Sequence, residues 1–174
     1  DGSQSFTEQV ITTAADWAAD GFALDVDGDG DVDVLSASHV DATVAWYEND
    51  GSESFSQRVI TATADGAYSV FAIDVDGDGD VDALSASFND GRVVRERRIP
   101  VLHAARDHRL GRRSLERLPV FAIDVDGDGD VDVLSCAGGD DTVAWQENDG
   151  SQYFTERVIT ALADGARSVF AIDV

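Results

Sequence analysis

Nine residues, Asp-Val-Asp-Gly-Asp-Gly-Asp-Val-Asp, occur three times, at positions 25–33, 74–82 and 124–132, and a fourth copy opens at Asp173. Carboxylates at alternate positions of a tight loop converge on one hard cation, and Ca²⁺ takes about six to eight oxygens at roughly 2.3–2.6 Å. In the first copy Asp25, Asp27, Asp29 and Asp33 are the candidate side-chain ligands, with the main-chain carbonyl of Asp31 between them. The second copy offers Asp74, Asp76, Asp78 and Asp82 with the carbonyl of Asp80. The third offers Asp124, Asp126, Asp128 and Asp132 with the carbonyl of Asp130. Gly28 and Gly30 permit the sharp backbone turns that bring such groups inward. A solvated turn without an ion would leave five aspartates in nine residues repelling one another, three times over. The chemistry expected is calcium binding.

The elements that must position these loops are strands. An EF-hand needs a bidentate Glu at the twelfth position of its loop, where this chain has Ser36, Ser85 or Ser135. The flanks also lack a helical period. Ser69-Val70-Phe71-Ala72-Ile73 precedes the second loop, and Val81-Asp82-Ala83-Leu84-Ser85-Ala86-Ser87 follows it, both short apolar or alternating runs. A third strand is expected at Thr43-Val44-Ala45-Trp46-Tyr47-Glu48 and its copy Thr142-Val143-Ala144-Trp145-Gln146-Glu147. Asn49-Asp50-Gly51-Ser52 and Asn148-Asp149-Gly150-Ser151 follow, and their Asp-Gly pairs supply the positive φ that hairpin turns demand. A fourth strand is expected at residues 55–61, with copies at 6–12 and 154–160. Four short strands in each unit of about fifty residues is the pattern of a propeller blade.

These loops and strands resemble the FG-GAP or VCBS repeat family, whose units build the calcium-binding β-propellers of integrin α subunits and of many microbial extracellular proteins. The family's loop pattern, Asp-x-Asp-x-Asp-Gly-x-x-Asp, is met by Asp25, Asp27, Asp29, Gly30 and Asp33 and by both later copies. The Phe-Ala-Ile-Asp of the first strand departs from the words that named the family, so the resemblance rests on the loop and the period. It implies an all-β fold of tandem four-stranded blades, a Ca²⁺ cofactor and an extracellular or cell-surface location. On this period the single array divides into repeats 22–70, 71–120 and 121–169, with partial repeats at 1–21 and 170–174. Closed propellers have about four to eight blades. Three and a half units therefore predict an incomplete propeller or open array: a segment of a longer chain, or a homo-oligomer of copies that continue one another.

The net charge of −23 fits this reading, because the three loops alone hold fifteen acidic residues. So acidic a chain is not expected to bind nucleic acid. Disorder, the other common consequence of high charge, is excluded by a 43% hydrophobic content placed at regular intervals. A lone cysteine, Cys136, excludes an internal disulfide framework and reads as a small buried hydrophobe. No apolar run suggests membrane insertion.

Residues 92–119 break the pattern. They hold nine of the twelve arginines, both prolines and two of the three histidines, in a chain without lysine. The genetic code offers an origin. Residues 94–103 can be encoded so that a shifted frame reads Trp-Tyr-Glu-Asn-Asp-Gly-Ser-Gln-Ser-Phe, the missing repeat word for word. Arg106-Asp107-His108-Arg109 likewise shifts into Arg-Val-Ile-Thr. Two compensating frame slips explain the stretch better than a basic insert does, and they predict an irregular outer half for the second blade.

Between repeats the surface varies. After the second strand the units diverge around His39, Phe88 and Gly139, and before the first strand they carry Ala19, Tyr68 and Arg167, with Trp17 where Gly66 and Gly165 stand. Variable loops on a constant scaffold make binding surfaces, and Trp17, His39, Tyr68 and Phe88 form the candidate ligand surface. Neutral drift at exposed loops gives the same pattern. The function expected is a non-catalytic module for adhesion or for binding a protein or glycan ligand. A self-assembling structural array and the propeller of a polysaccharide-active enzyme are the alternatives. Nothing supports catalysis, since His39 is isolated and no Ser or Cys sits in a nucleophile motif. Trp46 and Trp145 are expected at equivalent buried positions between blades.

Overall fold

A computed structural model describes residues 7–87, 92–96, 102–103, 120–137, 141–151 and 153–172. Three four-stranded antiparallel sheets account for twelve strands, with no helix among the described residues. The first sheet holds β1 (Ala18–Leu24), β2 (Asp33–Ser38), β3 (Thr43–Asn49) and β4 (Phe55–Thr61). The second holds β5 (Ala67–Ile73), β6 (Asp82–Ser87), β7 (Arg92–Glu96) and β8 (Leu102–His103). The third holds β9 (Val120–Ile123), β10 (Asp132–Ala137), β11 (Thr142–Asn148) and β12 (Phe154–Thr160). Within each sheet the strands lie in chain order.

The registers repeat as the sequence does. Leu35 faces Trp46 across β2 and β3, and Leu134 faces Trp145 across β10 and β11. Bulges recur too, at Ala18/Asp20 and Ala67/Ser69 and again at Val44/Ala45 and Val143/Ala144. Burial falls from the centre outward. All of β6 is buried, while most of β4 and β12 is exposed.

The core lies between sheets. Leu35, Ala37 and Val44 of the first pack against Val70, Ala72 and Ala83 of the second. Leu84 and Ala86 of the second meet Val120, Ala122 and Val133 of the third. Small residues let neighbouring sheets approach, and Phe22, Phe71 and Phe121 sit on the first strand of each sheet. Phe22, Phe71, Phe121 and Phe170 form a ladder with ring centroids 4.7, 5.4 and 4.8 Å apart. A polar seam runs beside it. The Asp20 carboxylate accepts hydrogen bonds from the Ser69 hydroxyl at 2.9 Å and the Val70 amide at 3.1 Å, and the Ser69 hydroxyl accepts one from the Val120 amide at 3.3 Å.

Three expectations are corrected. Residues 7–12 form no strand and pair with none of the twelve strands. The arginine-rich stretch does form a third strand: β7 pairs with β6 from Ser87↔Arg92 to Ala83↔Glu96, in the register of the sister sheets. Ladder bonds are made by backbone, and Val93 and Val94 keep β-branched residues at its middle. The fourth strand is described over only Leu102–His103, against seven residues in β4 and β12. Trp46 and Trp145 are half-buried rather than buried. The Arg58 guanidinium lies 5.5 Å over the Trp46 ring while pairing with Glu48, which shields the indole's outer face in place of a neighbouring sheet.

Four non-glycine residues among those described have positive φ, Trp17, Ala42, Glu53 and Asp141, and Trp17 is the bulkiest of them. Trp17 has φ +53°, in the left-handed region where its counterparts Gly66 and Gly165 have +72° and +66°. A bulky residue there costs about 1–3 kcal/mol.

Candidate metal centres and an aromatic rim

Each acidic loop joins the first and second strands of its sheet, and its own carboxylates shape it. Asp25 accepts from the amides of Gly28 at 2.8 Å and Gly30 at 3.0 Å, one on each oxygen. Asp74 does the same for Gly77 and Gly79, and Asp124 for Gly127 and Gly129. Both glycines of the first loop have positive φ, +78° and +96°. The aspartate at the fifth position of the motif caps the seventh residue, Asp29 accepting from the Asp31 amide at 2.9 Å and Asp128 from Asp130 at 2.9 Å.

The aspartate at the ninth position has a different job. Asp33 is fully buried, and its two oxygens accept from the Val26 amide at 3.1 Å and the Asn49 amide at 2.7 Å. Asp132 holds Val125 and Asn148 in the same way, at 2.9 and 2.8 Å, and Asp82 holds Val75 at 3.0 Å. One carboxylate thus ties the loop to the third strand. Asn49 and Asn148 add side-chain bonds to the carbonyls of Val32 at 3.1 Å and Val131 at 3.2 Å. Sequence reasoning assigned the aspartate at the ninth position to the metal alone and missed the asparagine, whose recurrence at one repeat position was the available signal.

The donor set fits calcium. Ligand oxygens of Asp25, Asp27 and Asp29 lie within 4.8 Å of one another, as do those of Asp74, Asp76 and Asp78 and those of Asp124, Asp126 and Asp132. Two oxygens bound to one Ca²⁺ are separated by at most about 5 Å, twice the bond length. Hard carboxylate oxygens without His or Cys suit that ion class. The Asp31 and Asp130 side chains turn aside, onto Gly51 and Gly150 of the hairpin turns, which leaves their carbonyls for the role expected of them. Asp80 lines a cleft of about 190 Å³ between the first two sheets, with Asp25, Asp27 and Trp46.

The electrostatics show what an ion would relieve. Loss of surrounding water raises Asp27 above the usual carboxylate range, and Asp29, Asp33 and Glu48 push the same way. Asp126 is raised by desolvation and by Asp128, Glu147 and Asp124, and Asp132 by desolvation and by Asp126 and Asp128. A carboxyl with a raised folded pKa favours the fold below its unfolded pKa and loses that contribution as pH rises through the folded value. At neutral pH these ion-free loops are therefore electrostatically unfavourable. Asp50 and Asp149 are opposite cases, lowered chiefly by the hydroxyls of Ser52 and Ser151.

The turn glycines admit the Asp31 contact. Gly51 has φ +75°, and a Cβ there would lie 2.5 Å from an Asp31 carboxylate oxygen. Gly51→Ala should cost about 1–2 kcal/mol through the left-handed backbone alone, and more through displacement of Asp31. Thermal denaturation checks this, and an unchanged midpoint would contradict the seating of Asp31 on the turn.

Of the candidate ligand surface, the structure brings together Trp17, His39 and Tyr68. Ring centroids of Trp17 and His39 are 5.0 Å apart, tilted by 50°, and those of His39 and Tyr68 are 6.2 Å apart, edge to face. Phe88 lies outside the described residues.

No curated protein sequence matches the chain. Among solved structures it is similar to a lectin from Agrocybe aegerita, solved to explain specific recognition of non-reducing terminal N-acetylglucosamine. The TM-score is 0.55 at 22% identity, covering 84% of this chain and 41% of the lectin's. That likeness is one of fold, and this chain spans less than half of its neighbour. The FG-GAP-like repeat family matches residues 25–85 and 124–174. Those two stretches contain all three acidic loops and most of the strands that frame them, and the chain belongs to the FG-GAP-like repeat family.

Proposed function

We propose that the chain is a non-catalytic, calcium-stabilised binding module that acts outside the cell on a glycan or protein ligand. The observation that carries this reading is the threefold convergence of carboxylate oxygens, each cluster built within its own repeat. In this reading the aspartates at positions one, three, five and nine, with the carbonyl at position seven, hold the ion in each repeat. Bound calcium would cancel the crowding of like charge and lock each first-to-second strand connection. Extracellular calcium modules work at about 10⁻⁴–10⁻³ M, a range met outside cells.

Binding rather than catalysis is part of this reading, in which the loop carboxylates accept from loop amides and would hold the ions. Cys136 is buried with its thiol pushed up by desolvation, an environment that disfavours a nucleophilic thiolate. No helix among the described residues is long and apolar enough to cross a membrane. The recognition of a terminal sugar by the structurally similar lectin supports a glycan as ligand.

A glycan and protein array probed with the intact chain in millimolar calcium tests the reading. Retention on a defined glycan or protein, without product formation and reduced by chelation, is the expected result. Turnover of a glycan would overturn it, as would binding that ignores calcium.

A further inference from the structure

The first repeat carries an aromatic group at the opposite end of β1 and β2 from its acidic loop. We propose that Trp17, His39 and Tyr68 form a platform for the apolar face of a neutral pyranose ring, an inference that rests on the ligand-binding reading above.

Trp17 is the key to it. Its indole is 65% exposed, so it gains little from burial. Its backbone is held left-handed by two hydrogen bonds, the His39 amide donating to the Trp17 carbonyl at 3.0 Å and the Val40 amide to the Asp16 carbonyl at 3.3 Å. The same turn is made by glycine at positions 66 and 165. Folding is served better by glycine there, and a strained, exposed tryptophan points to a purpose other than folding. Strain of this kind clusters at ligand clamps and active sites.

The neighbouring rings orient the indole. His39 lies against it at 5.0 Å, and Tyr68, from the first strand of the next sheet, braces His39 edge-on at 6.2 Å. The His39 Nδ1 is buried without a partner, which leaves ring stacking to hold the imidazole in place. The three rings form a strip spanning two repeats, with the broad outer surface of Trp17 left open.

The shape and charge choose the ligand. A pyranose presents a face of C–H groups ringed by hydroxyls, and an exposed indole offers a flat apolar surface with electron density on its face. A quaternary ammonium is held by rings that enclose it. Here the rings lean on each other in a row and enclose nothing. Phosphorylated or sulfated sugars are disfavoured by the chain's charge of −23. A neutral sugar remains.

The test uses the intact chain in millimolar calcium and neutral methyl pyranosides, those of glucose, galactose and N-acetylglucosamine, with saturation-transfer NMR and titration as readouts. At least one should bind. Trp17→Gly restores the residue that suits the backbone, so it should weaken binding at least tenfold while the melting temperature stays level or rises. Trp17→Phe should retain part of the affinity. If Trp17→Gly binds sugar as the parent does, the platform is wrong although the module still binds glycans. A fall of several degrees in Trp17→Gly would make the indole structural and overturn the proposal. Preference for choline over every sugar would overturn the ligand class. Failure of the parent to bind any sugar while the array reveals a protein ligand would overturn the platform alone, and failure on both would remove the binding reading with it.

Discussion

Chelation of calcium should lower the melting temperature by about 10 °C. At millimolar calcium and a dissociation constant near 0.1 mM, linkage gives about 1.4 kcal/mol per site, or roughly 4 kcal/mol over three loops. In a chain of this size each kcal/mol moves the midpoint by about 2–4 °C. Part of that stabilisation is relief of the crowding that raises Asp27, Asp126 and Asp132 above the usual carboxylate range without an ion. Magnesium, which prefers a smaller octahedral shell and parts reluctantly with water, should rescue poorly. Asp29→Ala should remove one ion and leave two, because each cluster draws on its own repeat. Native mass spectrometry counts the ions. Equal melting with and without chelator would refute the calcium reading outright.

The second large effect separates two kinds of aspartate. In chelator, Asp29→Ala removes an exposed carboxylate from a crowded loop and should leave stability level or slightly raised. Asp33→Ala in chelator should cost roughly 2–4 kcal/mol, because it strips acceptors from the Val26 and Asn49 amides. Denaturant titration of both variants in chelator checks this. Similar midpoints would mean that the aspartate at the ninth position serves the ion and little else. Asp132→Ala should repeat the result in the third sheet, where Val125 and Asn148 lose the same partner.

The loops were legible in the sequence because a metal site of this kind needs one residue type at fixed intervals, and a local motif survives without knowledge of tertiary contacts. The four-strand repeat was legible for the same reason, since each sheet closes from consecutive strands. What escaped were interactions between repeats and roles that depend on burial. The bonds that Asp20 accepts from Ser69 and Val70 join positions one repeat apart that carry different residues, so no pattern announces them. The half-burial of Trp46 depends on Arg58 settling over its ring. The third strand at Arg92–Glu96 is set by the backbone ladder that β6 supplies, which an arginine-rich composition does not announce.

The strand order has a kinetic consequence. Every pairing in every sheet joins neighbours in sequence, as in β1-β2-β3-β4, so each sheet forms by closing short loops. Loop closure of that kind is fast, and repeat arrays can nucleate at any unit and spread to the next. A growing polypeptide would complete one sheet before the following repeat had left the ribosome. The Phe22–Phe71–Phe121–Phe170 ladder would then act as a relay, each ring offering the next repeat a partner as it emerges. A defect confined to one outer strand would slow that unit without arresting its neighbours.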